Sequence, residues 1–308
     1  MPKRSENLSR PVTETNRLLK NAFFKIIYAQ EDYLLDVASL LSGKGASTSK
    51  LANVEPVILG GKENDLAFLV DDIFYFMVEA QSTENPNMPF RILIYIVTAL
   101  LGFVEANDLY KKTLVKIKVP KLYTVFTGLV REIPKEVIGE LRLSDAYEEM
   151  QDRPDLEAIV HTYHFNMRKE EIVDYLERGA LPKRLQNFAE NSLLWYALFS
   201  NSVDYYYKVV HKGNPAKITD AVVKLCELFK ERGMFVDLFS DRKVIDMTIQ
   251  DFSREKELLY VGREEGREEG REESREEIAQ NLIRLGIDDA VIAQGTGFTV
   301  AEIQQLRK

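Results

Sequence analysis

Two apolar runs, Leu66 to Val70 and Ile73 to Val78, stand back to back in the stretch NDLAFLVDDIFYFMVEAQSTENPNMPFR, residues 64–91, separated by Asp71-Asp72. Each has the length and the aromatic and β-branched content of a buried strand, so the pair reads as a hairpin. Before it, apolar residues recur at helical spacing from Thr15 to Leu41, which predicts two helices or one bent helix. The glycines of Ser42-Gly43-Lys44-Gly45 end that pattern, and Val54 to Leu59 predicts a short strand before a Gly60-Gly61 turn. The prolines of Ser82 to Pro89 take the chain out of the sheet into a helix from Met88 to Ala106, and Tyr123 to Phe126 predicts a strand returning to the same sheet. From Leu143 to Arg263 the spacing turns helical, with segments at Leu156–His164, Glu170–Arg178, Leu181–Phe199, Ser202–Val210, Ile218–Arg232 and Val244–Tyr260. The fold class predicted is α/β, a small mixed sheet flanked by helices, followed by a helical region.

Alternation along the hairpin gives the first chemical inference. Leu66, Phe68 and Val70 share one face of the first strand, and Phe74, Phe76, Val78 and Ala80 share one face of the second. Both sets seek the core, and a connecting loop with an odd number of residues puts them together. The same register brings Asp65 across from Glu79, with Gln81 beside it. Two neighbouring carboxylates repel unless a cation sits between them. Mg²⁺ suits that place, because it takes oxygen ligands and pairs one or two carboxylates with substrate phosphate. The chemistry this points to is phosphodiester hydrolysis.

Composition narrows the setting. The chain has 308 residues, 45% of them hydrophobic, enough for one sizeable core and room for a second. No apolar run reaches the ~20 residues needed to span a bilayer, and MPKRSENLSRP lacks a signal peptide's apolar segment, so no membrane partner and a cytoplasmic location are expected. The single Cys226 excludes an intrachain disulfide and a thiolate metal cluster. The net charge of −8 argues mildly against nucleic acid, but the acidic excess is partly local: Gly262 to Glu277 holds four Arg and eight Glu. Lys111, Lys112, Lys116, Lys118 and Lys121 form a basic run suited to gripping a DNA backbone, and a solvated Lys-rich loop fits the same sequence. Arg91 and Tyr95, one helical turn apart, are candidates for holding a phosphate or a carboxylate of the acid cluster; a helix-end Arg packed on a Tyr ring is the alternative.

The strings NDLAF and EAQSTENPNMPFR, with Tyr95 following, resemble the Rpn family of recombination-promoting nucleases, also described as PD-(D/E)xK transposases. The likeness covers roughly residues 15–145, including YTVFTGL at Tyr123 to Leu129 and LRLSDAY at Leu141 to Tyr147. It implies a restriction-endonuclease-like core and a Mg²⁺- or Mn²⁺-dependent DNA endonuclease. Asp65 and Glu79 would be metal ligands, the Ala80 carbonyl a third, Gln81 the residue placing the water, and Arg91 and Tyr95 DNA contacts, to which the basic run adds Lys111, Lys112 and Lys116. Gln81 stands where the wider superfamily has Lys, and Asn21 where relatives often carry an acid, so the site has less charge of both signs. The alternative function is an interaction protein whose site has decayed and which assembles through its tail.

Residues 1–14 read as a flexible start, 15–145 as the nuclease-like domain, 146–261 as a helical domain, 262–277 as a charged repeat and 278–308 as a helix-turn-helix-like hairpin. Trp195, Tyr196, Phe199 and the Tyr205 to Tyr207 run read as helical core, and His161 and His164, with no third convergent ligand, read as structural. The repeat, GREE three times and then SREE, gains from Glu–Arg pairs if helical but loses ~1 kcal/mol at each Gly against Ala. A helix ordered against a second copy and a charged spacer both fit. In the tail, Asp288 and Thr299 are expected helix N-caps, and a homo-oligomer through residues 262–308 is the expected partner arrangement.

Overall fold

The computed structural model describes residues 22–43, 51–53, 58–59, 62–63, 65–71, 74–82, 84–148 and 154–307, excluding the side chains of 22, 51–63, 106 and 254–273. Asn21, residues 1–14, Val54 to Pro56 and the Gly60-Gly61 turn lie outside those residues. The chain divides into two compact units, residues 1–253 and 254–308.

In the first unit, helices α1 (Ala22–Tyr28) and α2 (Glu31–Ser42) precede the strands. Helix α2 ends at Gly43, which adopts the left-handed conformation a glycine takes without strain, φ +66°. Short strand β1 (Leu51–Asn53) and the pair β2 (Ile58–Leu59) and β3 (Lys62–Glu63) come next, then the hairpin β4 (Leu66–Val70) and β5 (Phe74–Gln81). Helix α3 (Met88–Leu101) stops before the expected Ala106, at Gly102, and crosses to β6 (Val119–Phe126). Two strands follow, β7 (Ile138–Arg142) and β8 (Ile159–His164). The six-stranded sheet runs in the order β1-β4-β5-β6-β8-β7, with β5, β6 and β8 parallel and the other neighbours antiparallel.

Strand β8 corrects the helix expected over Leu156–His164. IVHTYH is rich in β-branched and aromatic residues, and as an interior strand, parallel to β6 and antiparallel to β7, it shows no strict alternation of apolar and polar residues. The change to helices comes after His164, with α4 (Lys169–Arg178), α5 (Ser192–Tyr205) and α6 (Ile218–Glu231). Leu181 to Phe199 is not one helix: a 3-10 turn at Lys183–Phe188 precedes α5, and a π turn at Tyr206–Val210 follows it.

The sheet is covered on both faces. On one, Leu66, Phe68, Val70, Phe76, Val78 and Val125 join a large core with α1, α2 and α4–α6 that includes Tyr196, Phe199 and Tyr207. On the other, Ala67, Tyr75, Met77, Leu122, Phe126 and Val160 pack under α3 through Met88, Ile92, Tyr95 and Ile96. Buried polar bonds tie the layers. The Asn201 amide donates to the Phe165 carbonyl at 2.8 Å and its oxygen accepts the Gly128 N–H. Asp36 of α2 accepts the Ser192 N–H at the start of α5, at 2.6 Å.

Helix α7 (Arg242–Arg284) carries the GREE repeat as continuous helix. In the second unit α8 (Asp289–Thr296) and α9 (Val300–Leu306) close on the end of α7 around Ala279, Ile292 and Ile303. Both expected caps form: Asp288 accepts the Ala290 N–H, and Thr299 exchanges bonds with Glu302 in a capping box. No helix among the described residues is long and apolar enough to cross a membrane.

Candidate functional site

Strands β4 and β5 pair Leu66 with Val78 through Val70 with Phe74, leaving a three-residue loop whose first residue, Asp71, has φ +54°. Continued by one residue, that register sets Asp65 opposite Glu79 on the face that carries Ala67, Tyr75 and Met77, the side covered by α3. Asp65 is 7% exposed and Glu79 0%. Asp65 is anchored from below, its Oδ2 accepting the Ala80 N–H at 2.8 Å.

The α3 helix supplies the counter-charge. Arg91 Nη2 donates to Glu79 Oε2 at 2.7 Å, and its Nη1 reaches Gln81 Oε1 at 3.4 Å. The guanidinium also lies 5.8 Å from the centroid of the Tyr95 ring, one turn along. Both readings of the Arg91–Tyr95 spacing are therefore realised together: the ring supports the guanidinium, and the guanidinium holds an acid of the cluster. The Gln81 amide donates back to the Ala80 carbonyl at 3.0 Å, so that carbonyl is already engaged.

Burial, followed by the charge of Asp65, pushes the Glu79 carboxyl well above the ordinary carboxylate range. Arg91, a backbone N–H of Asp65 and Lys25 of α1 act against that shift without cancelling it. Glu79 Oε1 is nonetheless buried with no partner in ordinary hydrogen-bonding geometry. On the next strand Thr124 pairs with Glu79, is fully buried, and its hydroxyl is likewise unpartnered. The row continues to Thr162 on β8, and a second row runs from Gln81 through Phe126 to His164.

Sequence reasoning missed Lys25 and Thr124 as site residues, and placed His164 only as structural. His164 stacks on Phe126 with centroids 5.0 Å apart and lies 3.1 Å from Thr162 Oγ1, while burial lowers its pKa. The FFK of α1 and the alternation of YTVF and YHF were the available signals, but strand neighbours so distant in sequence cannot be paired from spacing alone. Among the described residues no group of three or more His, Cys, Asp or Glu side chains is placed to hold a metal ion.

The basic run is not gathered at the acids. It leads into Val119, which pairs with Phe74, five residues and ~17 Å along β5 from Glu79. Lys111 is bonded to Asp108, Lys112 and Lys116 are exposed, and Lys121 lies over the Phe74 ring at 5.7 Å. No family model, curated protein or solved structure matches this chain.

Proposed function

We propose that the chain is a metal-dependent endonuclease acting on DNA, with the sheet as a restriction-endonuclease-like core of the kind found in recombination-promoting nucleases. The observation that carries this reading is the pairing of Asp65 and Glu79 on one sheet face, at the end where Arg91 bridges Glu79 and Gln81. Two orphaned, buried oxygens at one level of the sheet, Glu79 Oε1 and Thr124 Oγ1, fit a hard cation that prefers oxygen ligands. Asp65 and Glu79 would hold Mg²⁺ or Mn²⁺, which supplies charge neutralisation at the phosphodiester and activation of water. Burial makes the Glu79 carboxylate more basic than an exposed one, which strengthens it as an oxygen donor to the cation. Gln81 orients water by hydrogen bonding alone, since an amide carries no charge. Arg91 and Tyr95 contact the phosphate. Lys111, Lys112 and Lys116 meet DNA away from the scissile bond.

Plasmid DNA incubated with the protein and Mg²⁺ or Mn²⁺ should be nicked or linearised, and Asp65→Ala should lower the rate by two orders of magnitude or more, about 3 kcal/mol of barrier. Cleavage that survives Asp65→Ala removes this site. A second reading, an interaction protein with a decayed site that associates through residues 262–308, is favoured by one observation: Arg91 already pairs with Glu79. A folded wild type that cuts neither DNA nor RNA with either metal supports it.

A further inference from the structure

Arg91 sits where a cation is wanted. Its Nη2 is 2.7 Å from an oxygen of a carboxylate that has no exposure, and its Nη1 reaches toward Gln81 on the same strand. The Arg91 side chain is 30% exposed, whereas Glu79 is closed off completely. The inner partner is therefore fixed by the sheet, and the outer one hangs from the first turn of α3, beside the exposed Phe90. The Nε of Arg91 is buried without a partner, so the guanidinium is not locked by a full set of hydrogen bonds. Its planar fork suits phosphate oxygens as well as carboxylate.

From these features we infer that Arg91 is an exchangeable internal counter-ion: a guanidinium 2.7 Å from Glu79 Oε2 repels a divalent cation on the same carboxylate's Oε1, so the two compete for Glu79. This rests on the nuclease reading of the same site and adds what regulates it. A ligand that can bind only a minor, Arg-released state has its apparent affinity weakened by the fraction of molecules in that state. Removing the internal cation removes that penalty. Displacement also delivers a positive group at the lip of the site, where a phosphate would take it up, so cation and DNA phosphate should strengthen each other's binding. Arg91 is in this sense a positioning residue that couples the two.

The test titrates Mn²⁺ alone into the full-length protein by calorimetry, without DNA, for the wild type, Arg91→Gln, Arg91→Lys and Glu79→Gln. Arg91→Gln should bind Mn²⁺ about tenfold tighter than the wild type, Arg91→Lys should fall between them, and Glu79→Gln should lose the site. Thermal melts give a second readout, in which Mn²⁺ raises the Tm of Arg91→Gln more than that of the wild type. In the wild type, a short DNA duplex should tighten Mn²⁺ binding, and in Arg91→Gln that coupling should shrink. If Arg91→Gln binds Mn²⁺ no tighter than the wild type while Glu79→Gln still abolishes binding, the exchange idea is overturned and the metal site stands. If no variant binds Mn²⁺, the nuclease reading falls, and the inference with it. Should Arg91→Gln fail to fold, Arg91→Lys decides alone: affinity equal to or below that of the wild type overturns the exchange.

Discussion

Glu79 is a carboxylate that the fold keeps away from water and beside a second acid, and Arg91 offsets only part of that cost. Because its folded pKa lies above the unfolded value of about 4.3, the native state holds its proton more tightly than the unfolded chain does, so its contribution is fully present at low pH. Stability is lost as pH rises from the unfolded value through the folded one. Glu79→Gln keeps an acceptor for Arg91 and removes the charge. Its urea midpoint relative to the wild type should therefore rise between pH 4 and pH 7, and a gap that shrinks over that range would contradict the assignment. Asn201 presents the opposite case, a neutral side chain whose two bonds fasten α5 to the backbone at Gly128 and Phe165. Asn201→Ala strands two buried backbone groups, and chemical denaturation should show a loss of about 2–4 kcal/mol. Nothing around Asn201 in the sequence marks it, because both partners lie more than thirty residues away.

The hairpin was legible because its loop length and alternation constrain each other, yet the reason for its register differs from the one that sequence alone supplies. Both faces of β4 and β5 are buried, so the apolar residues could fill either side. The acids settle the parity. A one-residue slip of β5 would turn Glu79 and Gln81 toward the core that holds Phe68 and Val125, away from Arg91, where their desolvation would go uncompensated. Strand β8 escaped detection because IVHTYH, an interior strand, mixes apolar and polar residues without strict alternation. Strand β7 escaped because IGELR, at the sheet edge, alternates exposed with half-buried positions and never forms an apolar run. The tail was easier to read, since caps act within four residues. Thr299→Ala breaks the capping box at α9, and amide hydrogen exchange of that helix should accelerate by the equivalent of about 1 kcal/mol, leaving the sheet amides unchanged.

On the scale of the molecule, the strands that carry the acid pair and the helices after them share one interior. Phe23 of α1 packs on Phe199, Phe239 and Phe252, and its backbone N–H donates to Asp251 at 3.1 Å. A fragment of residues 15–145, the span that the family resemblance covers, would leave Phe68, Phe76 and Val125 bare and β6 without β8. It should express as insoluble or dye-binding material, whereas residues 15–253 should give a cooperative melt by calorimetry. The sheet order carries a last consequence, for how the chain is made. Strand β7 leaves the ribosome before β8 but must wait outside the position that β8 will fill. At 5–20 residues per second, the interval from Phe126 to Ile159 lasts roughly two to seven seconds, during which the nascent β6 offers an open edge to any neighbouring polypeptide. Overproduction that crowds polysomes should hence send this chain into inclusion bodies, and weaker induction, which spaces nascent chains apart, or chaperones that bind nascent chains should recover it.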